Sequence, residues 1–190
     1  MTGHTAAHLS TDGRLEHPSH RRIGATVSAD DFKALFRGHP GGVAVITADD
    51  GSGPVALTAS SVSSVSVDPP LLIFSASALS SATTVIASAE TIVVHLLDAD
   101  DIDLARTGAT SGVDRFADHG AWTRLATGEP LYHGVRAWVR CAVVSRMDAG
   151  SSTVIAAHAL QTSVDREESS GALVYHNRRW HRLGDHSRLD

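Results

Sequence analysis

The sequence predicts a mainly β domain, an antiparallel barrel or sandwich with a few short helices, and three observations predict it. Its apolar segments are short and punctuated: Val43 to Thr47, Val55 to Ala59, Leu71 to Ala76, Thr91 to Leu97, Val135 to Arg146, Thr153 to Gln161 and Ala172 to His176. Runs of that length bounded by Gly, Pro, Asp and Ser are strand-like, and a series of them closes into a barrel or stacks as two sheets. The period within them agrees, since Val65 and Val67 alternate with serines while Leu71-Leu72-Ile73-Phe74 forms a continuous apolar run behind Pro69-Pro70, as a buried strand does. Helical spacing is confined to short stretches.

Taken in order, residues 1–27 are polar, rich in His, Gly, Ser and Thr, and lack a hydrophobic period, so they are expected to form a flexible tail. His4, His8, His17 and His20 lie there at irregular spacing and read as solvated side chains rather than a metal site. Folded structure is expected over residues 28–184. It opens where Ser28-x-x-Asp31 forms a capping arrangement ahead of Phe32, Leu35 and Phe36 at helical spacing. Gly38 and Pro40 end that helix. Two further helices are expected, Ser81 to Ser88 and Asp100 to Thr107, the second with acidic residues that favour a helix N-terminus. Residues 185–190 read as a short C-terminal tail.

Composition narrows the function. One domain of 190 residues with 42% hydrophobic content has room for a single core. The net charge of −5 and a single lysine, Lys33, argue against nucleic acid as macromolecular partner, because a phosphate-binding surface needs clustered cations. No stretch has the length of a transmembrane helix, and the N-terminus has no apolar core of a signal peptide, so neither a membrane nor export is expected and a cytoplasmic location follows. Cys141 is the only cysteine and lies in the apolar context VRCAVV, which reads as a buried strand residue rather than a nucleophile. There is no G-x-S-x-G elbow, no G-x-G-x-x-G and no P-loop.

The segment from Leu57 to Ser75, LTASSVSSVSVDPPLLIFS, is the most informative. Its serines sit between apolar strands, so they belong to a folded corner, and their hydroxyls together with turn N–H groups can donate to an anionic or carbonyl-rich ligand without positive charge. GGVAVIT (Gly41 to Thr47), a turn at Asp49-Asp50-Gly51, and ALTASSVSSVSVDPPLLIF resemble the opening of the short-chain flavin reductase family. The resemblance continues through Ser80-Ser81-Ala82-Thr83, Arg115-Phe116, Gly128-Glu129-Pro130-Leu131 with Gly134, and Leu173-Val174-Tyr175-His176-Asn177-Arg178 before Trp180. It covers about Asp30 to Leu183.

That resemblance implies an FMN-binding split barrel of Greek-key type that dimerises. It also implies an NAD(P)H:flavin oxidoreductase (EC 1.5.1.-) that reduces FMN or FAD with NADH or NADPH and supplies reduced flavin to a partner flavin-dependent monooxygenase. Hydride transfer between two cofactors needs no catalytic side chain, only stacking and electrostatic tuning. On the matching positions, Thr58, Ala59, Ser60 and Ser61 line the isoalloxazine, and Ser80, Ser81 and Thr83 hold the phosphate; Arg115 could pair with the phosphate too, but reads better as an exposed surface arginine. For the second group, helix capping is an equal reading of the same hydroxyls. The family commonly carries Gly-Asp-His in the hairpin before the strand near Thr153, where this chain has Gly150-Ser151-Ser152. Ser152 therefore stands on the expected nicotinamide side, with His158, His176 and Trp180 as other candidates; His158 also reads as a plain strand residue and Trp180 as packing at the barrel end. A flavin carrier or sensor with weak or no reductase activity is the alternative that this departure leaves open, and no metal is expected.

Overall fold

In a computed structural model of the chain, residues 26–164 and 170–190 are described, so the N-terminal tail expected over 1–27 falls outside them up to residue 25. The chain divides into two compact units, Met1–Phe36 and Arg37–Asp190. The first contains most of helix α1 (Ala29–Arg37). Ser28 Oγ accepts the Asp31 N–H at 3.0 Å and donates to the Asp31 carboxylate at 2.7 Å, so the expected cap forms. Phe32 and Phe36 meet one turn apart, with ring centroids at 4.8 Å.

The second unit contains strands β1 (Gly41–Gly42), β2 (Ala44–Ala48), β3 (Val55–Ala59), β4 (Ser63–Val67), β5 (Pro70–Ser77) and β6 (Thr91–Leu96). They are followed by β7 (Trp122–Arg124), β8 (Pro130–Tyr132), β9 (Ala137–Ala149), β10 (Ser152–Val164), β11 (Leu173–His176) and β12 (Arg179–Arg182). Helix α2 (Ala82–Ser88) joins β5 to β6, and α3 (Ile102–Ala109) follows β6. The main sheet is antiparallel in the order β3-β2-β6-β9-β10-β5-β4, with small sheets β1-β11-β12 and β7-β8 beside it. The fold is thus the mainly β, antiparallel split barrel that the sequence and its resemblance implied, and the Asp68-Pro69 bond between β4 and β5 is cis.

Every residue of β2 is buried, because both of its faces are covered, and its one polar residue, Thr47, donates to the Pro130 carbonyl. Ala44, Ile46 and Ala48 face the barrel interior with Phe74, Ile86, Ile92 and Ile155. Val45 faces outward into a second cluster with Leu97, Phe116, Tyr132 and Leu173. Opposite Val45 in the ladder stands His95, fully buried in this outer layer. Its Nδ1 lies 3.0 Å from the Val45 carbonyl, and its Nε2 accepts the Tyr132 N–H at 3.1 Å, which fixes the Nδ1–H tautomer. The ring thereby ties the β7-β8 hairpin to the barrel, and burial pulls its pKa down from 6.5 to about 4. Below it, Glu129 is buried against Arg140 at 2.7 Å. Burial opposes the Glu129 charge, but hydrogen bonds from Thr127, Thr91 and Arg140 overcome it and leave the carboxyl below its ordinary pKa.

Candidate functional site

The barrel is split where its edge strands β3 and β4 fail to pair, and the Thr58–Ser61 corner crosses that gap. Ser61 Oγ accepts the Ser75 N–H at 3.0 Å and donates to the Ser75 carbonyl at 3.2 Å, so one side chain takes the place of a strand neighbour at that point of β5. Thr58 donates to the Ala105 carbonyl of α3 at 2.8 Å. Two glycines let the chain pass closely: a Cβ on Gly108 would lie 2.3 Å from Thr58 Oγ1, and one on Gly41 would lie 2.6 Å from the Ser60 carbonyl oxygen. Ala59 is buried in the barrel core. Ser60 is exposed, and its hydroxyl makes no side-chain hydrogen bond among the described residues.

At the other hydroxyl cluster, the turn from Ser77 into α2 is stitched by its own side chains. Thr83 Oγ1 donates to the Ser77 carbonyl at 2.6 Å, and Ser80 Oγ accepts the Ala82 N–H at 3.3 Å. A turn bond at Ser80, one residue before the Ser81 N-cap whose own hydroxyl makes no capping bond, and internal bonding by Thr83 therefore account for those two hydroxyls. Ser81 alone remains exposed and unengaged among them. Arg115 is half-buried rather than at large in solvent: its Nε donates to the Gly108 carbonyl at 3.2 Å and its Nη2 to the Thr110 carbonyl at 2.7 Å. It thus satisfies the last carbonyls of α3.

Strand alternation brings these pieces into one line. Ala56, Thr58 and Ser60 share the outer face of β3, because successive side chains point to opposite sides. At one end of that face Thr58 and Ser60 line a cavity of about 220 Å³ with Val43, Ala109, Tyr175 and Trp180. At the other, Ser81 and Arg115 line a cavity of about 110 Å³ with Pro54, Val55, Ala56 and Phe116. The larger cavity has an aromatic wall: Tyr175 and Trp180 pair across β11 and β12 with ring centroids 4.8 Å apart.

The nicotinamide-side candidates are not gathered in one place. Trp180 lines the larger cavity with Thr58 and Ser60. Ser152 opens β10 opposite Ser77, and the Ala78 N–H donates to the Ser151 carbonyl at 3.0 Å, which joins this hairpin to the Ser77–Thr83 turn. His158 is half-buried in mid-strand, opposite Leu71 and Ala142, and His176 pairs with Arg179 at the end of β11; neither lines the two cavities. Cys141 is buried as expected, its thiol pushed up to about 12 by burial. No cluster of metal-ligating side chains occurs among the described residues.

Sequence reasoning missed Tyr175, Val43 and Ala109 as cavity walls, and Gly41 and Gly108 as the close approaches that admit the corner. Gly108 carried only the signal of a helix stop, since it directly follows the expected helix Asp100 to Thr107, and α3 in fact runs through it to Ala109. His95 had one too, a polar residue in the apolar run TIVVHLL.

The family model for the flavin reductase like domain matches residues 36–184. An NADH:FMN oxidoreductase of Rhodococcus qingshengii is 39% identical over 158 residues, 82% of each chain. Among solved structures, the NADH:FAD oxidoreductase SgcE6 of Streptomyces globisporus, in complex with NAD and FAD fragments, superposes with a TM-score of 0.76 at 26% identity over 86% of this chain and 99% of that one. BorF, the flavin reductase component of a bacterial two-component tryptophan halogenase, gives 0.74 at 29% identity over 83% and 99%. A corner of hydroxyls over a split barrel and a family match through every strand of the main sheet lead to one conclusion: the chain belongs to the flavin reductase like domain family.

Proposed function

We propose that this protein is an NAD(P)H-dependent flavin reductase that reduces FMN or FAD and releases the reduced flavin to a separate flavin-dependent monooxygenase, working as a cytoplasmic homodimer. The observation that carries this reading is the outer face of β3, with Thr58, Ser60 and an aromatic wall at one end and Ser81 with Arg115 at the other. A flavin asks for a flat apolar wall, donors along one ring edge, and a separate donor set for its phosphate; these residues fit that demand. Ser60 and the corner's backbone would take the ring edge, and Ser81 the phosphate. When bound, flavin supplies the two-electron acceptor for the nicotinamide hydride. Trp180 and Tyr175 exclude water from the ring side and orient what stacks there.

The nicotinamide and oxygenase parts of the reading are supported by similarity to an NADH:FMN oxidoreductase and to the reductase component of a two-component halogenase. Dimerisation is supported by the open edge of β4, with Val65 and Val67 exposed, and by the exposed Val144, Met147, Leu160 and Val164 on the long β9-β10 hairpin. A cytoplasmic location is supported by a single, buried cysteine, and no described helix is long and apolar enough to cross a membrane. Flavin spectra of the purified protein, followed by NADH oxidation in the same cuvette, test the proposal. Turnover with added FMN or FAD is expected. Flavin binding without NADH oxidation would replace it by a carrier or sensor, the reading that Gly150-Ser151-Ser152 favours.

A further inference from the structure

The β11-β12 hairpin carries a concentration of positive charge that the flavin site does not explain. The chain as a whole has a net charge of −5, yet Arg178, Arg179 and Arg182 are exposed along this hairpin, and none has an acidic partner among the described residues. Only Arg188, further on, has a partner, Asp185 at 3.8 Å. The tip is tightly formed: Asn177 and Arg178 both have positive φ, the pattern of a two-residue hairpin turn, and the Asn177 N–H donates to the Arg37 carbonyl at 2.9 Å. Within β12 the side chains alternate, so Arg182 shares the face of Trp180 and Arg179 belongs to the opposite face, while Arg178 sits in the turn two residues before Trp180. Trp180 is the aromatic wall of the 220 Å³ cavity.

We propose that this hairpin is the phosphate arm of the dinucleotide site: Arg178 and Arg182 hold the pyrophosphate of the nicotinamide dinucleotide that meets the flavin at the cavity Trp180 walls. The inference rests on the flavin reductase reading and adds to it the group that selects the hydride donor. Guanidinium forks suit pyrophosphate oxygens, forming charge-assisted bonds that are stronger than neutral ones. On an acidic protein they also supply the local attraction that a dianionic substrate otherwise lacks.

The test is the double variant Arg178→Asn/Arg182→Gln, with Arg179→Gln as the control on the other face. Asn tolerates the left-handed backbone at position 178, so the turn is kept; matching far-UV spectra and melting curves establish the fold. The double variant should raise KM for NADH about tenfold, the value of an exposed charge-assisted contact pair, with kcat and the KM for FMN and FAD unchanged. KM for NADH should rise with salt in the parent and much less in the double variant. Arg179→Gln should leave KM for NADH unmoved. An unchanged KM for NADH in the double variant overturns the proposal. So does an equal rise for FAD or FMN, which would assign the arginines to flavin phosphate, or an equal effect of Arg179→Gln, which would mean only a general surface field. NADH binding followed by its fluorescence decides the same question if the parent shows no turnover, a result that would sink the reductase reading separately.

Discussion

His95 makes the stability of this fold depend on pH in a way that can be isolated. Its imidazole is fully buried, donates from Nδ1 to Val45 and accepts from the Tyr132 N–H at Nε2. A proton on Nε2 would therefore turn the acceptor into a donor facing a donor. Burial lowers its pKa in the folded protein to about 4 from 6.5. In the unfolded chain the same group protonates first, so between those values the unfolded state binds more protons and stability falls with falling pH. The contribution is fully present above 6.5 and is lost progressively down to about 4, with a slope near 1.4 kcal/mol per pH unit and a total of about 3 kcal/mol. That is a large share of the ~5–15 kcal/mol by which domains are usually stable. Urea unfolding monitored by tryptophan fluorescence, at pH values stepped across this window, gives the curve. His95→Gln keeps a donor and an acceptor without a titration, so it should be less stable at neutral pH yet flatter, and the difference between the two curves removes every other titrating group. Parallel curves for parent and variant would refute the assignment of this pH dependence to His95.

Gly108→Ala should lower stability by about 1–3 kcal/mol in urea unfolding, because the new Cβ would lie 2.3 Å from Thr58 Oγ1 and must push α3 off β3. Ser60→Val should weaken flavin binding by about 1–3 kcal/mol in a fluorescence titration without moving the urea midpoint, whereas Ser61→Val should lower that midpoint because it frees the Ser75 backbone. Ser152→His should lower KM for NADH with a smaller change in kcat, as a contact felt equally in ground and transition states does; steady-state kinetics would show instead a rise in kcat at constant KM if the residue acted in the chemical step.

The strands were legible because their signals are local. Val55 to Ala59 forms β3 with the boundaries read from the sequence, and Leu71 to Ala76 lies within β5. The run Thr91 to Leu97 ends one residue later than β6. The long β9 and β10 extend beyond their predicted ends, to Ala149 and Val164, because the two pair with each other past the point where either packs on the core. Short, mixed and exposed, those extensions had no apolar period to read. β7, β8 and β12 were not separately foreseen: each has three or four residues and exists through one partner strand. The site was legible in its corner and not in its walls. Thr58 and Ser60 came from a run of hydroxyls, but Tyr175 and Ala109 reach the same cavity from distant elements, and nothing local to them announces it.

A hydroxyl counted in a sequence is not yet a donor to a ligand, and this site shows how the difference arises. Thr58, Ser61 and Thr83 direct their O–H groups to the carbonyls of Ala105, Ser75 and Ser77, and Ser80 accepts from the Ala82 N–H. These bonds build the corner and the turn, since the split leaves β5 backbone groups that no strand reaches. Ser60 and Ser81 are what remains, one at each end of the outer face of β3, in two separate cavities. A ligand held by two free hydroxyls and by backbone N–H groups, with Arg115 already engaged by α3 carbonyls, meets few fixed charges. Net gains of about 1 kcal/mol for each neutral hydrogen bond give reversible binding. For a reductase whose product must leave to be used elsewhere, that weakness is the property required: a flavin bound through several ion pairs would stay where it was reduced.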